Sequence, residues 1–299
     1  MKAVVFTEFG PPSVLHLADV EPPSPGDGQV LVSIHAVGVN PYDHKVRSGM
    51  MGGKLPARTG LEAAGVVTAL GKGVDDVAVG DGVFGAGAGL AAEFGVLTTY
   101  AVMPEGLSFV EAAELPVSVE TATRTLDLLG VGSGTSLLIN GASGAVGSAA
   151  VQLAVARGAS VIGTASEARQ DYVRSLGAVP VPYGDGLAER VRSVAGGGVD
   201  AALDTAGHDA LPDLIELTGS TNRVVTIADY AGAEALGVRF SSGMGDERRA
   251  EAIREVGALI ASGKYVVPEP RTFPLAAIAE AHELLETGHT GAKLVLVVK

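Results

Sequence analysis

The sequence predicts an α/β protein with a β-rich first part and a doubly wound parallel sheet in the second. Three observations carry that reading. From about residue 135 onward, apolar runs of strand length alternate with helical patterns, as in a parallel sheet covered by helices. The first alternation, Ser136 to Ala165, encloses a turn of small residues, Asn140-Gly141-Ala142-Ser143-Gly144-Ala145-Val146-Gly147. Before about residue 115 the β-rich runs are short and separated by Gly and Pro turns, which suits an irregular barrel.

Composition bounds the function classes. In 299 residues, 47% hydrophobic and 18% charged, there is material for a substantial core in one large or two medium domains. The net charge of -13 argues against nucleic acid and anionic membranes as partners. With no Cys, disulfides, thiol nucleophiles and cysteine-ligated zinc are excluded. The apolar run in MKAVVFTEFGPP is too short for a secretory segment, and no stretch of about 18 apolar residues occurs. A cytoplasmic protein is expected.

In order, strands are expected at Ala3-Phe6, Val30-Ile34, Ala64-Leu70, Gly82-Phe84 and Thr98-Met103. Ser108 reads as the N-cap of a helix running to Leu115 with Pro116 as its stop, and Val117 to Leu129 as the next helix. The alternation then runs strand Ser136-Asn140, helix Ala145-Arg157, strand Val161-Thr164, helix Glu167-Leu176, strand Val179-Val181 and helix Leu187-Val194. It continues through strand Val199-Leu203, helix Ala210-Leu217 and strand Val224-Ile227, with Val238-Phe240 as an edge strand. Helices Arg248-Ser262 and Leu275-Glu286 and strand Leu294-Val298 close the chain.

The turn after the first strand of the alternation carries the chemistry. Ala142-x-Gly144-x-x-Gly147 departs from the dinucleotide fingerprint at its first glycine. It nevertheless follows a strand, opens a helix and begins a βαβ unit about 30 residues long. Gly144 lets a pyrophosphate approach the backbone, and Gly147 lets the helix pack close to the strand. A tight βα turn with no ligand is the plain alternative. The second strand selects the cofactor. It ends in Gly163-Thr164-Ala165-Ser166-Glu167-Ala168-Arg169, without the carboxylate that binds a ribose 2′-hydroxyl in NAD sites. Ser166 and Arg169 suit a 2′-phosphate, and Glu167 fits a helix first turn, so NADP(H) is expected. As structural residues, Ser166 is a simple cap and Arg169 an exposed helix charge. Tyr183 either lies across the adenosine or is a surface loop residue. His16, His35, His44, His208, His282 and His289 show no metal-ligand spacing, and Ser143 is not in a G-x-S-x-G context.

Several segments stand in order along the chain: GVNPYDHKVRSG (38–49), TGLEAAGVV (59–67), VGDGVFG (79–85), LPVSVETATRTL (115–126), LLINGASGAVGSAAVQLA (137–154), GTASEARQDYVRSLGA (163–178) and GAKLVLVV (291–298). Together they resemble the medium-chain dehydrogenase/reductase superfamily, in its zinc-free quinone oxidoreductase (zeta-crystallin-like) branch. The resemblance implies a GroES-like catalytic domain over 1–117, a Rossmann NADP-binding domain over 118–262, and a return to the catalytic domain over 263–299. Zinc-bearing members place a ligating Cys where this chain has Asn40 and a ligating His where it has Leu61, while Glu62 remains. No zinc site is therefore expected.

The resemblance implies hydride transfer from NADPH to a quinone or an α,β-unsaturated carbonyl. Asn40 would face the nicotinamide ribose and substrate, and Thr121 the nicotinamide end or the phosphates. Ala142, Ser143, Gly144, Ala145 and Val146 would hold the pyrophosphate, and Ser166, Arg169 and Tyr183 the adenosine end. Ile227 would pack on the nicotinamide and offer its backbone to the carboxamide. Tyr42 and Lys45 are substrate-pocket candidates by their nearness to Asn40. Each of these has a structural alternative: Asn40 a turn residue before Pro41, Lys45 a solvated charge, Thr121 a helix residue. Where related reductases carry a loop Tyr, this chain has Met50-Met51-Gly52-Gly53. That departure supports a second reading, a non-catalytic NADPH-binding sensor or crystallin-like protein. A homodimer through the Val238-Phe240 edge is expected from the family's habit.

Overall fold

The structure, a computed structural model, describes residues 1–243, 251–288 and 290–299. The expected start of a helix at Arg248 and the place of His289 lie outside the described residues. Two units carry the fold. Described residues of Met1–Val117, Ala250–Gly263 and Val267–Lys299 form the first, and those of Ser118–Arg249 and Lys264–Val266 the second.

In the first unit, β1 (Lys2–Phe6) pairs antiparallel with β2 (His16–Asp19) and with β4 (Ala57–Arg58). The larger sheet is built on β3 (Val30–Val39), a run in which eight of ten positions are buried. It pairs with β5 (Glu62–Leu70), then β6 (Gly82–Gly87), then β7 (Phe94–Val102), and β7 returns to β3 to close an antiparallel ring. Strand β3 divides its free edge. Val30 to Ser33 pair with β7, and Ala36 to Val39 pair with β15 (Leu294–Val297), which β14 (Arg271–Pro274) extends in parallel. A register shift between Ile34 and Ala36 marks the changeover. Val32, Ile34, Val37, Val67, Leu97 and Leu296 fill the core of this unit. The barrel expected from short β-runs is present, with strands longer than composition suggests because their buried faces extend past the turn residues.

Three details differ from the sequence expectations. Residues 41–47, read only as a motif, form helix α1 (Pro41–Arg47), which starts with Pro because the first helical N–H needs no acceptor. Ser108 does cap a helix, α2 (Phe109–Ala112), accepting the Glu111 N–H at 3.2 Å, but the helix ends at Ala112. Pro116 does not stop it; Pro116 lies in the first turn of α3 (Leu115–Leu128), for the same reason that Pro41 opens α1. Helix α9 (Ala252–Ala261) packs on β7 of the first unit, although it falls within the 118–262 stretch that the sequence division groups with the Rossmann domain.

The second unit is a six-stranded, wholly parallel sheet. Its order is β10 (Val179–Pro182), β9 (Ser160–Ala165), β8 (Ser136–Asn140), β11 (Ala201–Asp204), β12 (Val224–Thr226) and β13 (Arg239–Phe240). Counted within the unit this is 3-2-1-4-5-6, with its switch point between β8 and β11. Helices α4 (Ala145–Ala156), α5 (Gln170–Ser175), α6 (Leu187–Val194), α7 (Leu211–Thr218) and α8 (Tyr230–Leu236) alternate with the strands. Before α5, Glu167–Arg169 form a 3-10 turn; α10 (Ile278–Glu286) of the first unit likewise follows a 3-10 turn at Leu275–Ala277.

Gly147 sets how closely α4 meets the turn that precedes it. A Cβ there would lie 2.1 Å from the Gly141 carbonyl oxygen and 2.8 Å from its carbon, both rigid backbone. Gly147→Ala is expected to cost on the order of 1–3 kcal/mol, the range for overpacking, measured by urea unfolding.

Candidate functional sites, one in each unit

In the second unit, polar side chains stand at the carboxyl ends of four neighbouring strands and form one buried lattice. Asn140 Nδ2 donates to Asp204 Oδ1 at 2.9 Å, and Thr164 Oγ1 donates to Asn140 Oδ1 at 2.7 Å. Thr226 Oγ1 donates to Asp204 Oδ2 at 2.7 Å. Their remaining capacity holds the loops. Gly141 N–H donates to Thr164 Oγ1 at 2.9 Å, Ala206 and Gly207 N–H to Asp204 Oδ1, and Ala228 and Asp229 N–H to Thr226 Oγ1. The turn after β8 and the loops after β11 and β12 are thus tied into one frame around the switch point, where open α/β sheets bind ligands. Asn140, Thr164, Asp204 and Thr226 were not singled out from sequence. The signal was present: each is a polar residue at or next to the end of an apolar run.

Of the expected cofactor residues, Ala142 to Val146 follow β8, Ser166 and Arg169 follow β9, Tyr183 follows β10 and Ile227 follows β12, while Thr121 lies in α3 and Asn40 in the first unit. Gly141 turns the chain with φ +83°, the left-handed region that favours glycine. Ala142 is buried and its N–H donates to the Thr164 carbonyl at 2.9 Å, while Ser143 is half-buried and Gly144 exposed. Gly144 is the N-cap of α4 and carries no side chain to cap it. The Ala145 and Val146 N–H groups of the first turn therefore have no intrahelical acceptor, the arrangement that attracts phosphate. Ser166 occupies the N-cap of the 3-10 turn, but its hydroxyl makes no cap hydrogen bond. Arg169 stands over the Tyr172 ring, 4.3 Å from guanidinium carbon to centroid, and has no carboxylate partner among the described residues. Glu167 is exposed in the first turn, as its sequence position suggests. Tyr183 is exposed in the loop after β10. Ile227 donates its N–H to the Asp204 carbonyl at 3.0 Å, so the backbone it can offer is its carbonyl. Thr121 is buried in α3, where its hydroxyl accepts from Arg124 at 3.4 Å.

In the first unit, the ends of three strands converge. The register places Gly38 opposite Glu62 and Val39 opposite Leu294, so Asn40, Glu62 and Lys293 meet although Asn40 and Lys293 are 253 residues apart. Asn40 is the N-cap of α1 and its side chain is fixed at both ends. Nδ2 donates to Glu62 Oε1 at 2.8 Å, and Oδ1 accepts from Lys293 Nζ at 2.5 Å. Lys293 Nζ also lies 2.7 Å from Glu62 Oε1, with side-chain exposures of 8% and 0%. Glu62 Oε2 accepts the Val117 N–H at 2.7 Å. Gly38 leaves room for this: a Cβ there would lie 2.3 Å from Glu62 Oε1.

Asp43, also buried, braces α1. It accepts from Asn40 N at 2.8 Å, Thr59 Oγ1 at 2.7 Å and Gly60 N at 2.9 Å, yet burial still raises its pKa above the ordinary carboxylate value. Tyr42 and Lys45 are half-buried on α1, and neither side chain joins the cluster. Met50 and Met51 are exposed on the loop that follows, at 68% and 42%. Lys293 and Glu114 were missed from sequence. Lys293 is delivered by register, and Glu114 sits in an apolar run that reads as helix interior.

Glu114 is buried, and neither of its carboxyl oxygens has a hydrogen-bond partner among the described residues. Burial pushes its pKa up from 4.5 to about 8; Lys293 opposes the rise, and Glu62 and Glu111 add to it. Between those values the folded state keeps a proton that the unfolded state releases. The contribution of Glu114 to stability is therefore fully present below about pH 4.5 and is lost as the pH climbs towards 8. Glu114→Gln is expected to stabilise the fold at pH 8 by on the order of 1–3 kcal/mol and to change it little at pH 4.5, read by thermal unfolding at both pH values.

Comparison with known proteins identifies the family. Residues 26–113 match the alcohol dehydrogenase GroES-like domain model, and residues 176–296 match the model described as zinc-binding dehydrogenase. Human quinone oxidoreductase is 33% identical over 327 aligned residues, covering 99% of this chain and 98% of that protein. The tomato 2-methylene-furan-3-one reductase is 30% identical, covering 99% of this chain and 79% of its own length. The solved structure of Escherichia coli quinone oxidoreductase complexed with NADPH superposes with a TM-score of 0.83 at 25% identity, covering 100% of both chains. The chain belongs to the medium-chain dehydrogenase/reductase superfamily, in its quinone oxidoreductase branch.

Proposed function

We propose that the chain is an NADPH-dependent reductase that passes a hydride to a quinone or an α,β-unsaturated carbonyl without zinc. The observation that carries the cofactor choice is Arg169: a guanidinium without an anionic partner among the described residues, near the end of a β9 that bears no carboxylate. Ser166, whose hydroxyl makes no cap hydrogen bond, and Arg169 bind the 2′-phosphate, and Tyr183 lies alongside the adenosine. Ala142, Ser143, Gly144, Ala145 and Val146 receive the pyrophosphate on the open first turn of α4. Thr121 and the Ile227 carbonyl serve the nicotinamide end. Bound NADPH supplies the hydride; the protein's part is to bind, orient and exclude competing reactions. On the substrate side the candidates are Asn40, Tyr42 and Lys45, with Met50 and Met51 suited to apolar, planar molecules.

The zinc-free reading rests on the occupants of the first-unit cluster. A divalent ion does not fit there, because Asn40 Oδ1 and Glu62 Oε1 already hold the Lys293 ammonium. Among the described residues no group of three His, Cys, Asp or Glu side chains is placed to hold a metal ion.

The human relative is a quinone oxidoreductase and the tomato relative reduces a methylene-furanone, so both acceptor classes are proposed. The partner is a small molecule; the net charge of -13 disfavours nucleic acid, and no described helix is long and apolar enough to cross a membrane. A homodimer would use the open edge of β13, and a cytoplasmic location is part of the same proposal.

Stopped-flow mixing of the protein with NADPH and panels of quinones and enones is expected to show acceptor-dependent loss of NADPH absorbance. Tight NADPH binding with no acceptor able to oxidise it would instead establish the non-catalytic sensor or crystallin-like reading. Arg169→Ala is expected to weaken NADPH binding by on the order of 1–3 kcal/mol and NADH binding far less, measured by fluorescence titration. Equal loss for both cofactors would remove Arg169 from the 2′-phosphate site.

A further inference from the structure

Lys293 has no role in the sequence reading, and its surroundings give it one. Its ammonium carries three N–H groups. Two are taken, by Asn40 Oδ1 and Glu62 Oε1. The Asn40 carboxamide carries two more, of which one is taken by Glu62 Oε1. Glu62 is closed to any further guest: Oε1 accepts from both neighbours, Oε2 accepts from Val117, and the side chain is fully buried. Lys293 also orients Asn40. With Oδ1 turned to the ammonium, the carboxamide cannot flip without facing one N–H donor with another. One N–H of Lys293 and one of Asn40 remain without an acceptor among the described residues, on two groups bonded to each other at 2.5 Å.

We propose that Lys293 and Asn40 form a two-donor cradle for one oxygen atom of the substrate, with Lys293 as the resident cation that the zinc-binding relatives' chemistry assigns to a metal. This rests on the reductase reading for the identity of the acceptor. Addition of a hydride from NADPH to a carbon of a quinone or enone drives an electron pair onto the conjugated carbonyl oxygen, and solvent then supplies the proton. Charge that develops on that oxygen is stabilised most by donors already fixed in place. Both donors here are fixed by Glu62, which gives the cradle its rigidity and cancels the net charge of the ammonium. A substrate with an acceptor oxygen is favoured over one that must donate, because the groups left open on Lys293 and Asn40 are both N–H donors.

The plain alternative is that Lys293 only neutralises Glu62. Removing Lys293 alone cannot decide between the two, since a buried carboxylate left alone destabilises the fold. The deciding variant is the pair Lys293→Met with Glu62→Gln, which removes both charges and keeps an acceptor for Val117. It is compared with the wild type in three measurements: melting temperature, NADPH affinity, and the absorbance of bound p-nitrophenol, an oxygen probe that cannot be turned over as an acceptor of this class. A donor-only cradle binds the phenolate in preference to the phenol, so the apparent pKa of the probe falls on binding to the wild type. The double variant is expected to melt near the wild-type temperature and to bind NADPH within about 3-fold. It should lose the probe's pKa shift and at least about 100-fold in kcat with the best acceptor, the scale of an oxyanion donor.

Restored kcat and probe shift in the double variant would reduce Lys293 to a counter-ion and overturn the proposal, as would a wild type that leaves the probe's pKa unmoved. If the double variant does not fold, Lys293→Arg in the wild-type background takes its place: the cradle predicts retention of the probe's shift with altered kcat, and loss of the shift or an unaltered kcat overturns it. A wild type that shifts the probe but oxidises NADPH with no acceptor would keep the cradle and remove the reductase reading.

Discussion

A buried carboxylate must be matched by donors, and two of them organise this protein. Glu62 in the first unit and Asp204 in the second are both at 0% exposure. Each collects donors from elements far apart in sequence. Glu62 gathers the Asn40 amide, the Lys293 ammonium and the Val117 N–H. Asp204 gathers the Asn140 amide, the Thr226 hydroxyl and the N–H groups of Ala206 and Gly207. Breaking a buried, matched charge by removing one partner costs several times what an exposed pair is worth, about 3–5 kcal/mol against about 0–1. The loops that bear the candidate binding residues therefore inherit their positions from these two side chains rather than from packing alone.

The two carboxylates do different work. Around Asp204 the bonds hold neighbouring side chains and loop backbone, so the lattice is a frame and the proposed binding groups lie outside it: the first turn of α4, Ser166 and Arg169. Around Glu62 the bonded groups themselves keep N–H donors that have no acceptor among the described residues. Glu114 stands beside that second arrangement as an unmatched acid, and burial answers the mismatch by keeping its proton on.

Much of the second unit was legible because its signals are local. Strand Ser136-Asn140 and helix Leu187-Val194 match residue for residue, since a parallel strand buried on both faces reads as an unbroken apolar run and an amphipathic helix reads by its period. The proposed cofactor half rests on signals of the same local kind, because the turn, Ser166 and Arg169 lie within one βαβ stretch. The first unit was harder. Pro116 carries the same local signal whether it ends one helix or begins another, and what decides is that α2 ends at Ala112 and α3 begins at Leu115. Lys293 could not be found at all from its neighbours, Ala292 and Leu294. What gives it meaning is that Leu294 pairs with Val39, a fact about register that no short window contains.

The divided edge of β3 has a consequence in time. Ala36 to Val39 wait for β15, some 250 residues later, while Val30 to Ser33 find β7 within about 70. Contacts so distant carry a larger loop-closure cost and form late. During synthesis the ring of β3, β5, β6 and β7 is available long before the ribosome has made Lys293. Until then Glu62 has no cation beside it. The nascent barrel must leave that carboxylate in contact with water, and the arrival of β15 dries it.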